Sequence, residues 1–152
     1  MALSQLQQAM ATLRITLAEL QHRERQADAV IQQFRTQLRR LPRQVIYGQT
    51  SLDLSMSAMA EIEERLADAL ANRRRLLVIK KTAREELEAL ELIKRVDEAR
   101  SRLENLRQQP QTPGATAEVL AEIRSLEQFI AENSKRAEWA ITASYQERSQ
   151  AS

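Results

Sequence analysis

Glu19-x-x-His22 has the spacing with which di-iron carboxylate bundles hold a metal, a glutamate and a histidine one helical turn apart. Such a centre needs two of these motifs and two further glutamates, and the chain has a single histidine, so only a symmetric dimer could complete the set. In the heptad register set out below, Glu19 and His22 occupy outward positions c and f, where a solvated helix face is the simpler reading. No metal or cofactor is expected. Nucleophilic catalysis has less to build on, because there is no cysteine and no second histidine. There is also no nucleophile elbow and no glycine-rich phosphate cradle; Gly48 and Gly114 both fall in turns. Carboxylates are abundant, yet on exposed helices they solvate the surface and do not form a tuned acid–base pair. No residue is expected to be catalytic, and the chain is expected not to be an enzyme.

The densest charge lies at Arg73, Arg74, Arg75, Lys80, Lys81 and Arg84, six cations with no acid in twelve residues. On a helical wheel Arg73, Lys80 and Arg84 share one direction, with Arg74 and Lys81 beside them. Such a stripe suits the phosphates of nucleic acid or of an anionic membrane surface. No aromatic residue is interleaved to stack single-stranded bases. Acids are close by, six between Glu85 and Glu98. Internal charge pairing is therefore the leading reading of this segment. The alternative is an anionic partner held by Arg73, Arg74, Lys80, Lys81 and Arg84. Two apolar features complete the candidates. Val45-Ile46-Tyr47 lies inside a connector, either as a plug over the end of a hairpin or as a protruding contact. Trp139 and Tyr145 lie off or beside the helix 3 seam, either wrapped onto helix 2 or marking an interface.

The elements that place these residues are helical. Only two glycines and three prolines interrupt a chain rich in Ala, Leu, Glu, Arg and Gln, which is the composition of long helices or a coiled coil. Aromatic residues make up 3%, so aliphatic side chains must fill the core. Pro42 and Gly48 mark one break; Pro110, Pro113 and Gly114 mark another. The expectation is a single domain over 1–152, with helix 1 at 3–40, a connector at 41–51, helix 2 at 52–108, a turn at 109–115 and helix 3 at 116–147.

Helix 1 carries the clearest pattern. Alternating steps of three and four give Leu3, Leu6, Met10, Leu13, Leu17, Leu20, Glu24, Ala27, Ile31, Phe34, Leu38 and Leu41, with Glu24 the one polar member. A sustained 3.5-residue repeat is a coiled-coil seam. Helix 2 opens the same way with Met59, Ile62, Leu66 and Ala69, then meets Arg73. Its apolar stripe resumes at Leu76, Ile79, Ala83, Leu87 and Leu90, as a helix changing partners would require. Helix 3 carries a short seam from Val119 to Ala140.

At 1.5 Å per residue helix 1 is roughly 55 Å long, helix 2 roughly 85 Å and helix 3 roughly 50 Å. The predicted fold is all-α: an elongated antiparallel hairpin or coiled coil of helices 1 and 2, with helix 3 folding back on the long central helix. The two short helices should overlap on helix 2 near Leu76-Leu77-Val78-Ile79. Residues 23–43 carry six Arg against Glu24 and Asp28, while 52–72 carry five acids against Arg65, and pairing of these segments would select the register. The reading that results is a cytoplasmic helical interaction or assembly protein, such as an adaptor, scaffold or complex subunit. Its expected partner is another protein or a second copy, with nucleic acid or an anionic membrane surface as the alternative and no small-molecule substrate.

Overall fold

The computed structural model describes the backbone of residues 3–109 and 116–151 and the side chains of 4–109 and 117–140. The fold is all-α, with α1 (Leu3–Ile46), α2 (Leu52–Gln108) and α3 (Thr116–Ala151). α1 packs on α2, and α2 on α3. The chain resolves into two compact units. One joins the described residues up to Arg14 with those from Arg84 onward; the other is Ile15–Ala83.

α1 does not stop before Pro42. It runs six residues beyond the expected end at Arg40, so that Val45 and Ile46 are its last residues and the connector shrinks to 47–51. Proline removes one N–H, but its fixed φ is a helical one, and here its ring is half-buried beside half-buried Leu41 and Val45. Gly48 supplies the stop. With φ at 70° it takes the left-handed position after the helix. Its N–H donates to the Val45 carbonyl at 3.0 Å, while that of Gln49 donates to the Gln44 carbonyl at 2.8 Å. This is the Schellman closure, which satisfies carbonyls the helix end would leave orphaned. α2 then starts from Ser51, whose Oγ accepts the Leu54 N–H at 3.3 Å as an N-cap.

The Ile15–Ala83 unit is an antiparallel helical hairpin. Glu24 meets Lys80 and Asp28 meets Arg73, so positions advancing along α1 meet positions receding along α2. Along α1, Leu17, Leu20, Glu24, Ala27, Ile31, Phe34, Leu38 and Leu41 are all buried or half-buried, as the 3.5-residue spacing requires. Along α2 the inward positions are Met59, Ile62, Leu66, Ala69, Arg73, Leu76, Lys80 and Ala83. The stripe on α2 therefore does not rotate after Arg73. It keeps steps of three and four straight through two cations, and Ile79, expected in the seam, is 52% exposed.

In the other unit, Leu6 and Met10 of α1, Leu90, Ile93 and Val96 of α2, and Ala137 and Ala140 of α3 form one buried cluster. Three helices meet there, and α2 is covered from two sides at 90–96. The expected place for that overlap was Leu76–Ile79, which lies in the hairpin and leaves Val78 66% exposed. An α1 end set six residues too early accounts for part of the difference, because it pairs the start of α1 with too early a part of α2. Farther along, Arg107 binds Glu127 at 2.6 Å and Arg100 donates to Ser134 Oγ at 3.3 Å, which sets α3 antiparallel to α2. Leu3 and the turn at 110–115 lie outside the described residues where their side chains or placement are concerned.

Candidate protein interface

The basic segment is divided by the seam. Lys80 Nζ lies 2.7 Å from Glu24 Oε2, with side chains only 14% and 18% exposed. Arg73 Nε donates to Asp28 Oδ1 at 2.6 Å, and its guanidinium also reaches Glu24 at 3.9 Å. The single polar residue of the α1 seam thus faces the two cations of the α2 seam. The acids that take up Arg73 and Lys80 are those of α1, not those of 85–98. A carboxylate placed among apolar positions leaves water only at a large cost unless a cation meets it there, so the three polar seam residues belong together. The signal was in the sequence: Glu24 and Arg73 each break an otherwise apolar repeat, and their charges are opposite. Of the remaining cations, Arg74 and Arg84 are exposed, and Lys81 is exposed with a partner of its own. Arg74 and Arg75 border an open groove with Ala71, Val78 and Ile79.

The charge match expected along the hairpin takes a different form. Arg35, Arg39, Arg40 and Arg43 on α1 and Glu61, Glu63, Glu64 and Asp68 on α2 are all exposed. Among the described residues no ion pair joins these two groups; Glu61 instead binds Arg65 within α2 at 2.7 Å. The cross-helix pairs of the hairpin have the opposite polarity, acid on α1 and base on α2.

The apolar residues at the turn protrude. Val45 is half-buried, but Ile46 and Tyr47 are each 77% exposed. Leu52, Leu54 and Met56, in the first turns of α2, are exposed as well. Five large apolar side chains therefore stand in water within eleven residues. Three of them, Leu52, Leu54 and Met56, were not singled out from the sequence. Leu54 and Met56 could have been, because the stripe of Ser55, Met59, Ile62 and Leu66 leaves both on other faces. Ser55 itself is the buried residue at this end, 2% exposed, and its Oγ has no hydrogen-bond partner.

In the other unit Trp139 is 74% exposed. It borders an open groove with Ala89 and Leu92 of α2 and Ala140 of α3, edged by Glu85, Glu88, Lys135 and Arg136. Its body is thus offered to solvent and not wrapped onto helix 2. Tyr145 lies outside the residues whose side chains are described.

Glu19 binds Arg23 at 3.1 Å on the open face of α1, and His22 is exposed. Among the described residues no three His, Asp or Glu side chains gather as a metal site would need. No helix, among the same residues, is long and apolar enough to cross a membrane. Comparison with known proteins matches the chain to no family model, no curated protein and no solved structure.

Proposed function

We propose that this chain is a helical interaction or assembly protein whose working surface is the turn end of the Ile15–Ala83 hairpin. The observation that carries this reading is the exposure of Ile46, Tyr47, Leu52, Leu54 and Met56 together. Single exposed apolar residues are ordinary, but a group of large ones at one end of an element marks a contact surface. The aliphatic, helical character of the end suits helix-against-helix recognition, in which apolar anchors supply most of the affinity. The proposed role is contact and not chemistry.

A photo-crosslinking residue at Tyr47, compared with one at exposed Arg124, tests the reading in cells that make the protein. A discrete adduct from the Tyr47 position, absent from the Arg124 position and lost when Leu54 and Met56 become Asp, is the expected result. Equal adducts from both positions, or none from Tyr47, would refute it.

Binding of nucleic acid or an anionic membrane surface is the second reading, carried by exposed Arg74, Arg75 and Arg84. Two members of the stripe, Arg73 and Lys80, are already held by Glu24 and Asp28. If the remaining cations act on phosphates, affinity should fall steeply with salt and vanish when the three become Gln.

A further inference from the structure

We infer that the partner at the turn end is an acidic amphipathic helix of another protein. It lies along the outer face of α1, with its carboxylates on Arg39, Arg40 and Arg43 and its apolar anchors on Ile46 and Tyr47. This inference rests on the proposed function above and names the chemistry of its partner.

The seam of α1 continues toward the turn through Leu38, Leu41 and Val45, all half-buried. In that register Arg39 and Ile46 take heptad position b, Arg40 and Tyr47 position c, and Arg43 position f, the three outward positions. Tyr47 follows the last residue of α1, yet its N–H donates to the Arg43 carbonyl at 3.1 Å, so the helical path carries it onto the same face. All five residues are exposed, Ile46 and Tyr47 at 77%. They form one strip about 12 Å long, with cations at one end and apolar side chains at the other.

α1 supplies no counter-charge to this strip, for no acid lies between Asp28 and Asp53. Among the described residues no ion pair reaches Arg39, Arg40 or Arg43; Arg39 donates through Nε to the Arg35 carbonyl at 3.4 Å. Like charges one helical turn apart repel one another, and a guanidinium is matched in shape and charge by a carboxylate. A partner that covers Ile46 and Tyr47 along this face therefore gains by placing acids beside its apolar anchors.

Width separates a helix from a broad anionic surface. Glu24 meets Lys80 and Asp28 meets Arg73. Continued toward the turn, that register sets Arg43 level with residues 58–61 of α2 and Arg39 level with 62–65. Glu61, Glu63 and Glu64 lie at that height and are exposed. A bilayer that took in the turn end would meet both helices, and the three acids would cancel the three cations. A nucleic acid would supply phosphates to the arginines and leave Ile46 uncovered. A helix is about 10 Å across and can lie on the outer face of α1 alone.

Selection of displayed helical peptides on the immobilised full chain tests this. Enriched peptides should carry Asp or Glu within two turns of a pair of apolar residues, on one face. They should bind roughly tenfold more weakly to a Tyr47→Ala chain, and likewise to a chain with Arg39→Gln, Arg40→Gln and Arg43→Gln. A chain with the same three arginines changed to Glu should select peptides bearing Lys and Arg instead. Enriched peptides without acids, or binding that ignores Tyr47 or the arginines, would overturn the inference, and the Gln chain decides where the Glu chain does not fold. Tighter binding of duplex DNA or of phosphatidylserine vesicles through the same arginines would overturn it as well. The photo-adduct at Tyr47 separates this inference from the contact role. An adduct undiminished in the Gln chain, or one that joins two copies of this chain, excludes the acidic partner and leaves the contact role standing. If Tyr47 gives no adduct, both fall.

Discussion

Three helices meet in one unit of this protein and two in the other, and their side chains fare differently. Where α1, α2 and α3 meet, Leu6, Leu90 and Val96 are 1% exposed. In the Ile15–Ala83 hairpin the most buried side chain is Ser55, and only Leu20, Ile31 and Ala83 join it below the surface. The exposed large apolar residues are distributed the opposite way. Ile15, Val30, Ile46, Tyr47, Leu52, Leu54, Met56, Val78 and Ile79 all belong to the hairpin, whereas the described part of the other unit has Leu120 and Trp139. Apolar residues are plentiful in both. What differs is coverage: a helix in a pair can bury one stripe, and the stripe beside it stays in water until a third element arrives. The hairpin is thus the part of the molecule that a partner would complete.

The largest loss of stability is expected in the three-helix core. Leu90→Ala should cost about 2–5 kcal/mol, since its surroundings hold the cavity open on every side. Leu20→Ala, in the hairpin, should cost at most about 2 kcal/mol, because a neighbour or water can reach the gap. Chemical denaturation of the two variants measures the difference, and equal costs would remove the contrast. Glu24→Ala ranks next. It leaves Lys80, 14% exposed, without its carboxylate and should cost about 1.5–3 kcal/mol. Replacing Glu24 and Lys80 together by Leu should recover most of that loss, while loosening the alignment that the polar pair imposes on the seam. Ser55→Ala should have the smallest effect and the opposite sign. Its Oγ is buried without a hydrogen bond, so removing it should raise stability by roughly 0.5–1.5 kcal/mol. A loss of stability would mean that this hydroxyl has a partner after all.

Much of the fold was legible because one physical signal dominates it. The 3.5-residue spacing from Leu6 to Leu41 identifies the buried stripe of α1 residue by residue. The breaks near Gly48 and Pro110 separate three helices. Two features were harder to read. Pro42 looks like a terminator, yet its lost N–H is a local cost that the packing of Leu41 and Val45 can offset, and only the Schellman closure at Gly48 shows where the helix stops. The course of α2 past Arg73 was obscured by counting apolar residues alone. A seam position is defined by geometry, and Arg73 and Lys80 occupy theirs because Glu24 occupies the one opposite. The candidate contacts show the same limit. Ile46, Tyr47 and Trp139 could be singled out by type, but whether each is covered depends on how many helices are close by. The spacing of α2 already sets Leu54 and Met56 off the seam, but that they and Leu52 stay uncovered depends on that number.

Hydrogen exchange read by mass spectrometry tests the contrast between the two units most directly. With α2 covered from one side in the hairpin and from two sides at 90–96, protection across residues 87–96 should exceed protection across 52–68. Equal protection in both segments, or the reverse order, would contradict the account.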